Sequence, residues 1–270
     1  MKLLPVLVVG MALVLGACGS DYPFASDSGD EYTAAVKQAD EARREGAYEA
    51  AVSLYGRALQ AKPDGVAAKV GLGETFLAMG LPDEAAASFR DALERKQNDQ
   101  AARRGLAMAL ISMGQIDLAQ RQLEAALQSN PQDVRTLNAY GIMLDMLGRH
   151  AEAQARYREA IALAPQNVAV RSNFGLSLAI AGQPQEAIAQ LVPLVGAKGS
   201  DARVRQNLAF AYAMAGDMEA SLRTSRQDLD EASAQRQLQY FLALRNLPVE
   251  VRSAELRRNP AFFPQAAPAG

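Results

Sequence analysis

The chain of 270 residues carries 28 basic and 30 acidic side chains, and its net charge of −2 lacks the positive excess of nucleic-acid-binding proteins. One cysteine and one histidine are too few for the Cys and His ligand set of a structural zinc site. Hydrophobic residues make up 49% of the chain but aromatic residues only 6%, which favours a helical stack rich in Ala and Leu.

The N-terminus has the pattern of an export signal. Residues 1–20 read MKLLPVLVVGMALVLGACGS, in which one basic residue, Lys2, precedes an apolar run from Leu3 to Leu15. This run is too short to span a bilayer comfortably and is typical of a secretory signal. We therefore predict a signal peptide over residues 1–17.

The apolar run ends in Leu15-Gly16-Ala17-Cys18, which resembles a bacterial lipobox. The resemblance implies a lipid on Cys18 and, because the next residue is glycine and not aspartate, placement in the outer membrane facing the periplasm. Two alternatives stay open: an ordinary secretory signal with an incidental cysteine, or an N-terminal anchor helix. Residues 18–31 are polar and rich in Gly, Ser and Asp, which predicts a flexible tether that leaves the lipid-anchored domain free to move.

Six glycines recur at intervals of 34 residues: Gly46, Gly80, Gly114, Gly148, Gly182 and Gly216. A strict period of this length indicates a helix–turn–helix repeat array. Small residues recur seven positions before each glycine, five after it and, with two exceptions, twelve after it, so that two helices can approach closely. Larger residues nine positions after the glycine fill the space between the helices: Tyr55, Phe89, Leu123, Tyr157 and Leu191. Asp99, Asp133, Asn167 and Asp201 stand where the next helix needs its N-cap.

Two units show the whole pattern, in Leu72-Gly73, Phe76, Gly80, Ala85, Phe89 and Ala92, and in Tyr140-Gly141, Leu144, Gly148, Ala153, Tyr157, Ala160 and Pro165. The pattern resembles the tetratricopeptide repeat. The resemblance implies an all-α fold, a right-handed superhelical solenoid of about six repeats over residues 32–228. One departure is that the chain has no tryptophan, although the family's pattern includes one.

The C-terminal part departs from the repeat. A helix predicted within residues 229–250 presents Leu238, Phe241 and Leu242, and we expect it to cap the exposed apolar end of the stack. The alternative is that it docks a partner. Residues 251–270 end in PAFFPQAAPAG and are predicted to be a flexible tail, in which Phe262-Phe263 docks locally or contacts a partner.

Tetratricopeptide repeats line their concave groove with the fifth, ninth, twelfth and thirteenth residues of each unit. In units three to six this resemblance assigns an apolar set to the groove, which we predict to bind a partner: Met108, Ile111, Ile142, Met146, Leu176, Ile180, Phe210 and Met214. Two interpretations stay open. Either tight packing or the C-terminal helix buries these side chains, or they form an exposed trough for an amphipathic helix or an extended peptide.

No motif for chemistry is present, since the sequence contains no GxxxxGK[ST], GxSxG or HExxH string. The only histidine, His150, follows Gly148 closely, and we expect it to be a solvated turn residue. We therefore predict no catalytic residue, no metal, no cofactor and no small-molecule substrate.

The lipobox, the array and the non-repeating run from Ala211 to Leu247 together resemble the repeat lipoproteins of tight-adherence (Flp) pilus assembly. This resemblance implies a non-catalytic, pilotin-like scaffold that binds a protein of a pilus or secretion apparatus, with the pilus secretin as the expected partner. The alternatives are a lipoprotein of outer-membrane protein assembly and an adaptor for periplasmic cell-wall enzymes.

The lipobox generates a test of anchoring. Because acylation needs the thiol of Cys18, we expect the Cys18→Ala protein to stay unprocessed or to move from the outer-membrane fraction to the soluble periplasm. Metabolic labelling with a palmitate analogue, followed by fractionation, measures both effects. Equal labelling of the wild-type and variant proteins would show that Cys18 carries no lipid.

Overall fold

The computed structural model describes residues 28–259, so the predicted signal peptide, Cys18 and Phe262-Phe263 lie outside the described residues. Within that range the chain forms fourteen α-helices, one short 3-10 helix and no β-strand. None of the described helices combines the length and the apolar composition needed to cross a membrane. The helices are α1 Ser28–Arg44, α2 Tyr48–Ala61, α3 Val66–Ala78, α4 Pro82–Arg95, α5 Gln100–Ser112, α6 Ile116–Ser129, α7 Val134–Met146, α8 His150–Leu163, α9 Val168–Ile180, α10 Pro184–Leu191, the 3-10 helix Val192–Leu194, α11 Ala202–Ala215, α12 Met218–Ser225, α13 Glu231–Arg245 and α14 Val249–Arg257.

The first twelve helices stack as six hairpins, which confirms the predicted all-α repeat array. Each odd-numbered helix packs against the even-numbered helix that follows it and against the next odd-numbered helix. Consecutive even-numbered helices make no contact of comparable extent within residues 28–259. The odd-numbered helices therefore line the inner face of the stack, and the even-numbered helices form its outer face.

The periodic glycines end the first helix of every hairpin. All six have φ between +72° and +88°, a region that residues with a side chain rarely adopt. In each turn, the N–H group after the glycine donates to the carbonyl five residues earlier at 2.8–3.0 Å, as from Leu81 to Phe76. This bond satisfies a carbonyl at the helix end and reverses the chain into the second helix.

The predicted N-caps are confirmed. The side chains of Asp99, Asn167 and Asp201 accept hydrogen bonds from the backbone N–H three residues later, and Asp133 accepts from that of Arg135. Each bond satisfies a donor that the first turn of a helix leaves without an intrahelical partner. The caps therefore fix where α5, α7, α9 and α11 begin.

The predicted close approach of the two helices in a hairpin is also confirmed. A Cβ atom added at Gly141 would lie 2.4 Å from the ring of Tyr157, and one added at Gly175 would lie 2.5 Å from Cγ of Leu191. The five large side chains nine positions after the turn glycines are at most 1% exposed. The hairpins are therefore held by large side chains that pack against bare backbone.

Two predicted boundaries differ from the structure. Helix α1 begins at Ser28, inside the segment predicted to be a tether, because Asp30 and Glu31 can occupy its first turn and stabilise the helix dipole. Helix α14, Val249–Arg257, lies mostly in the segment predicted to be a flexible tail. It is ordered because it buries Arg252 and Leu256 against the array, whereas the Pro- and Ala-rich composition begins only at Pro260.

The glycine contacts generate a stability test. Replacing Gly141 or Gly175 by Leu should lower the free energy of unfolding by about 1–3 kcal/mol or more, because the new side chain overpacks the hairpin. Gly56 is the matched control, since it is also helical but has nothing within 4 Å of an added Cβ. Gly56→Leu should be neutral or slightly stabilising, because Leu favours helix more than Gly does. Equal urea midpoints for the three variants would contradict the packing assignment.

Candidate partner-binding groove

The structure divides the predicted groove residues into two groups. Met108, Ile142 and Met146 are partly exposed on the inner face. The other five are buried within the chain: Ile111, Leu176, Ile180, Phe210 and Met214. A partner cannot reach the second group in this conformation, so only the first group can form an accessible surface.

Helix α13 lies on the end of the stack, and helix α14 lies on the inner face of units four and five. Helix α13 packs on α11 and α12, and the ring of Phe241 meets the ring of Phe210 edge to face with their centroids 5.2 Å apart. Helix α14 packs on α7 and α9. Of the two interpretations left open by the sequence, burial by the C-terminal segment therefore holds for units five and six.

Arg252 is the first polar anchor of α14. Its guanidinium donates to the carbonyl of Ile180 at 2.9 Å, of Leu244 at 3.1 Å and of Leu247 at 3.0 Å, with a longer bond to Arg245 at 3.3 Å. The carbonyls of Ile180, Leu244 and Arg245 lie at the C-terminal ends of α9 and α13, where the helix dipole places partial negative charge, and that of Leu247 follows α13 directly. Desolvation lowers the pKa of Arg252, but an arginine keeps its charge at neutral pH.

The second anchor is a buried polar cluster around Asp145. Its Oδ1 lies 2.7 Å from His150 Nδ1 and accepts a hydrogen bond from Ser177 at 2.7 Å, and its Oδ2 accepts from Tyr157 at 3.0 Å. His150 Nε2 lies 2.7 Å from Ser253 Oγ on α14. The cluster therefore joins units four and five to α14.

Burial governs the protonation of this cluster. Burial raises the pKa of Asp145, although the hydrogen bonds from His150 and Ser177 oppose that shift. Burial also raises the pKa of Tyr157 well above its ordinary value, and the charge of Asp145 adds to the effect. His150 was predicted to be a solvated turn residue, and that prediction was wrong: it begins α8 and is 6% exposed, because Ser253 covers it.

Ser253, His150 and Asp145 share the connectivity of a nucleophile, a base and an acid. The hydroxyl of Ser253, however, donates to the carbonyl of Val249 at 2.7 Å, so its oxygen accepts the proton of His150 Nε2. Ser253 is also 1% exposed, which keeps a substrate away from Oγ in this conformation. The geometry fastens α14 to the array and does not present a nucleophile.

The accessible part of the groove is a cleft of about 380 Å³ over α3, α5, α7 and α9. Apolar side chains, among them Leu77, Met108, Val134, Ile142 and Val170, line it together with a few polar ones: Glu74, Arg104, Arg135, Asn138 and Asn167. A second cleft of about 410 Å³ over units one to three shares Glu74 and Ala101 with the first. The two clefts therefore adjoin, and we call them together the open groove.

Most charges along the open groove already have partners. Arg104 lies 3.4 Å from Asp133, and Arg43 lies 3.0 Å from Glu74. Desolvation lowers the pKa of Arg104, and the charge of Asp133 opposes that shift. A ligand that enters the groove therefore meets an apolar floor and paired charges, an arrangement that suits a protein segment with apolar side chains.

Asp145 supplies the stability test for the buried cluster. Asp145→Ala leaves His150, Ser177 and Tyr157 without their shared acceptor, so we expect the free energy of unfolding to fall by about 1–3 kcal/mol or more. Asp83→Ala removes an exposed carboxylate from the first turn of α4 and should cost about 0.3–1 kcal/mol. Urea unfolding measures both variants, and a loss for Asp145→Ala no larger than that for Asp83→Ala would contradict the cluster.

Comparison with known proteins supports the repeat assignment. A tetratricopeptide-repeat family model matches residues 42–99 and 76–139, two overlapping windows that lie within units one to four. No curated protein sequence matches the chain at a significant level.

Several solved structures share the fold. PilF of Pseudomonas aeruginosa superposes with a TM-score of 0.63 at 17% identity, covering 80% of this chain and 98% of that one. PilW, a widely conserved type IV pilus biogenesis factor, gives 0.65 at 19% identity, with coverages of 78% and 98%. A thermophilic repeat protein of Thermus thermophilus gives 0.63 at 23% identity, with coverages of 67% and 98%. At these identities the likeness establishes the fold, and this chain is folded as a tetratricopeptide-repeat solenoid.

Proposed function

We propose that this protein is a non-catalytic, lipid-anchored scaffold that holds a partner of a pilus or secretion apparatus in its open groove at the periplasmic side of the outer membrane. The observation that carries the proposal is the open groove over α1, α3, α5, α7 and α9, in which Leu77, Met108, Val134 and Ile142 stay partly exposed. Apolar side chains that are exposed together on a protein surface are typical of a site that binds a partner.

The chemistry of the open groove favours a peptide or helix of a protein partner. Met108, Ile142 and Met146 offer apolar contact area, and methionine adapts its shape to different ligands. Covering two or three such side chains contributes about 1.5–3 kcal/mol each before the cost of ordering the ligand. Asn138, whose side chain meets that of Asn173 at 3.0 Å, adds a polar contact between units four and five.

The assignment to a pilus apparatus rests on resemblance. The lipobox, the array and the C-terminal run from Ala211 to Leu247 resemble TadD, the repeat lipoprotein of tight-adherence (Flp) pilus assembly. The fold likeness to PilW, a type IV pilus biogenesis factor, is in keeping with that resemblance. The partner we propose is the pilus secretin, whose delivery to the outer membrane needs a carrier that is anchored there.

The position of the proposed anchor agrees with this role. Nine residues separate Cys18 from the start of α1 at Ser28. Even fully extended, they span only about 30 Å. A lipid on Cys18 would therefore keep the start of α1, at Ser28, close to that distance from the membrane.

The open groove generates the functional test. Met108→Asp combined with Ile142→Asp should abolish co-purification of the secretin and lower the amount of secretin multimer in the outer membrane, because two carboxylates replace the apolar floor. The array should stay folded, since both side chains are partly exposed. Leu176 is unsuitable for this test, because a carboxylate at its buried position would destabilise the fold.

The matched control is Leu118→Asp, which places the same charge on α6 of the outer face at a side chain that is 40% exposed. We expect its secretin levels to equal those of the wild type. Wild-type multimer levels and surface pili in a folded, anchored Met108→Asp/Ile142→Asp protein would show that the open groove does not hold the partner.

A further inference from the structure

We propose that α14 is an internal ligand of the array, a detachable helix whose place on the inner face is taken by a partner helix with an arginine and a leucine at the same spacing. In α14 these residues are Arg252 and, four residues later, Leu256, which share one face of the helix. The inference rests on the proposed function of the open groove, to which it adds the kind of helix that the array accepts.

The site beneath α14 is built to receive a guanidinium. The carbonyls of Ile180 and Leu244 converge on Arg252 from the ends of two different helices, α9 and α13. No carboxylate appears among its acceptors within the described residues, so the recognition uses helix-end carbonyls in fixed directions. Arginine suits such a site better than lysine, because its planar fork carries five donors in a rigid arrangement.

Helix α14 depends on this site for its order. It has nine residues, fewer than the roughly 12–15 that an isolated helix needs for stability in water. Its buried side chains are Arg252, Ser253 and Leu256, of which only Leu256 is apolar, whereas Val251 is 45% exposed. When α14 leaves the array, water can form hydrogen bonds to Arg252 and Ser253 in place of those that the array supplied. Helix α13, by contrast, buries Leu238, Phe241 and Leu244 and is held by apolar contacts.

The covered site continues the open groove. Helix α14 packs on α7 and α9, and these same helices contribute Ile142 and Val170 to the open groove. Release of α14 would uncover the inner-face surface of α7 and α9 on which it packs and extend the open groove toward the last units. That exposure is unfavourable alone and is reversed when a partner helix covers the surface again, so release and binding favour each other.

A peptide of residues 246–259 is the probe for this site. In the full-length chain we would replace Arg252 by Ala and Leu256 by Asp, so that the tethered helix can no longer hold its place. The fluorescein-labelled wild-type peptide should then bind this variant at least about tenfold more tightly than it binds the wild-type chain, where the tethered copy competes at high effective concentration. Fluorescence anisotropy gives both dissociation constants.

Two controls define the specificity of that binding. Arg258→Ala removes a neighbouring exposed arginine that pairs with Glu255 at 2.8 Å on the same helix end, and it should behave as the wild type. A peptide that carries Ala at 252 and Asp at 256 should bind neither chain. Peptide binding that does not distinguish the variant from the wild type, in a variant with unchanged helical circular dichroism, would overturn the proposal.

A measurement on the unmodified chain covers the case in which the variant fails to fold. Native-state hydrogen exchange should show the amides of α14 exchanging at least about tenfold faster than those of α9 and α13, because a detachable helix opens without the rest of the array. Equal protection of the three helices would show that α14 is a fixed part of the fold and would overturn the proposal.

The peptide assay also separates this inference from the proposed function. Adding Met108→Asp to the Arg252→Ala/Leu256→Asp chain should leave the affinity for the peptide within about twofold, since Met108 lies on α5 whereas α14 packs on α7, α9 and α13. If the open-groove variant loses secretin multimer while the affinity for the peptide is unchanged, the result supports both the proposed function and the role of α14. If the peptide binds as expected but the open-groove variant keeps normal secretin levels, only the proposed function is contradicted. If the peptide does not bind but the open-groove variant loses secretin, only the role of α14 is contradicted.

Discussion

The left-handed glycine at the end of each first helix is the constraint on which the rest of this structure depends. Because φ near +80° is available to glycine and rarely to other residues, the chain can reverse at the same point in every unit. The reversal sets which residues of the two helices face each other. Only with that register does a large side chain such as Tyr157 lie against the bare backbone of Gly141. The inner face, and therefore the open groove, follows from repeating this geometry six times.

The contacts that could be predicted from the sequence join residues that are close along the chain, and those that could not be predicted join residues that are far apart along it. Turn glycines, N-caps and tight helix contacts each involve residues within one unit, and they recur, so their spacing identifies them. Arg252 meets Ile180 across 72 residues, and Ser253 meets His150 across 103. Neither contact recurs in another unit. The sequence of α14 carries charged residues throughout, so its pattern did not indicate that one face of the helix is buried.

One signal in the sequence could have revealed the buried cluster. Asp145 lies between Leu144 and Met146 in the most apolar stretch of α7, at a position that should face a neighbouring helix. A carboxylate there needs partners that offset its desolvation, and a histidine five residues later is an obvious candidate. The burial of Leu176 and Phe210 could not be predicted from the repeat pattern. Both residues have the spacing of groove positions, and the helices that cover them lie outside the repeats.

The polar cluster also bears on how such an array can change in length. The units share a shape, so removing 34 residues keeps every turn glycine in register. The hydrogen bonds, however, are not interchangeable: Asp145 and His150 belong to unit four, Ser177 to unit five and Ser253 to the C-terminal segment. Loss of unit four or unit five would leave the remaining groups of the cluster without partners in the interior. Gain or loss of repeats during evolution should therefore be tolerated in units one to three and resisted in units four and five.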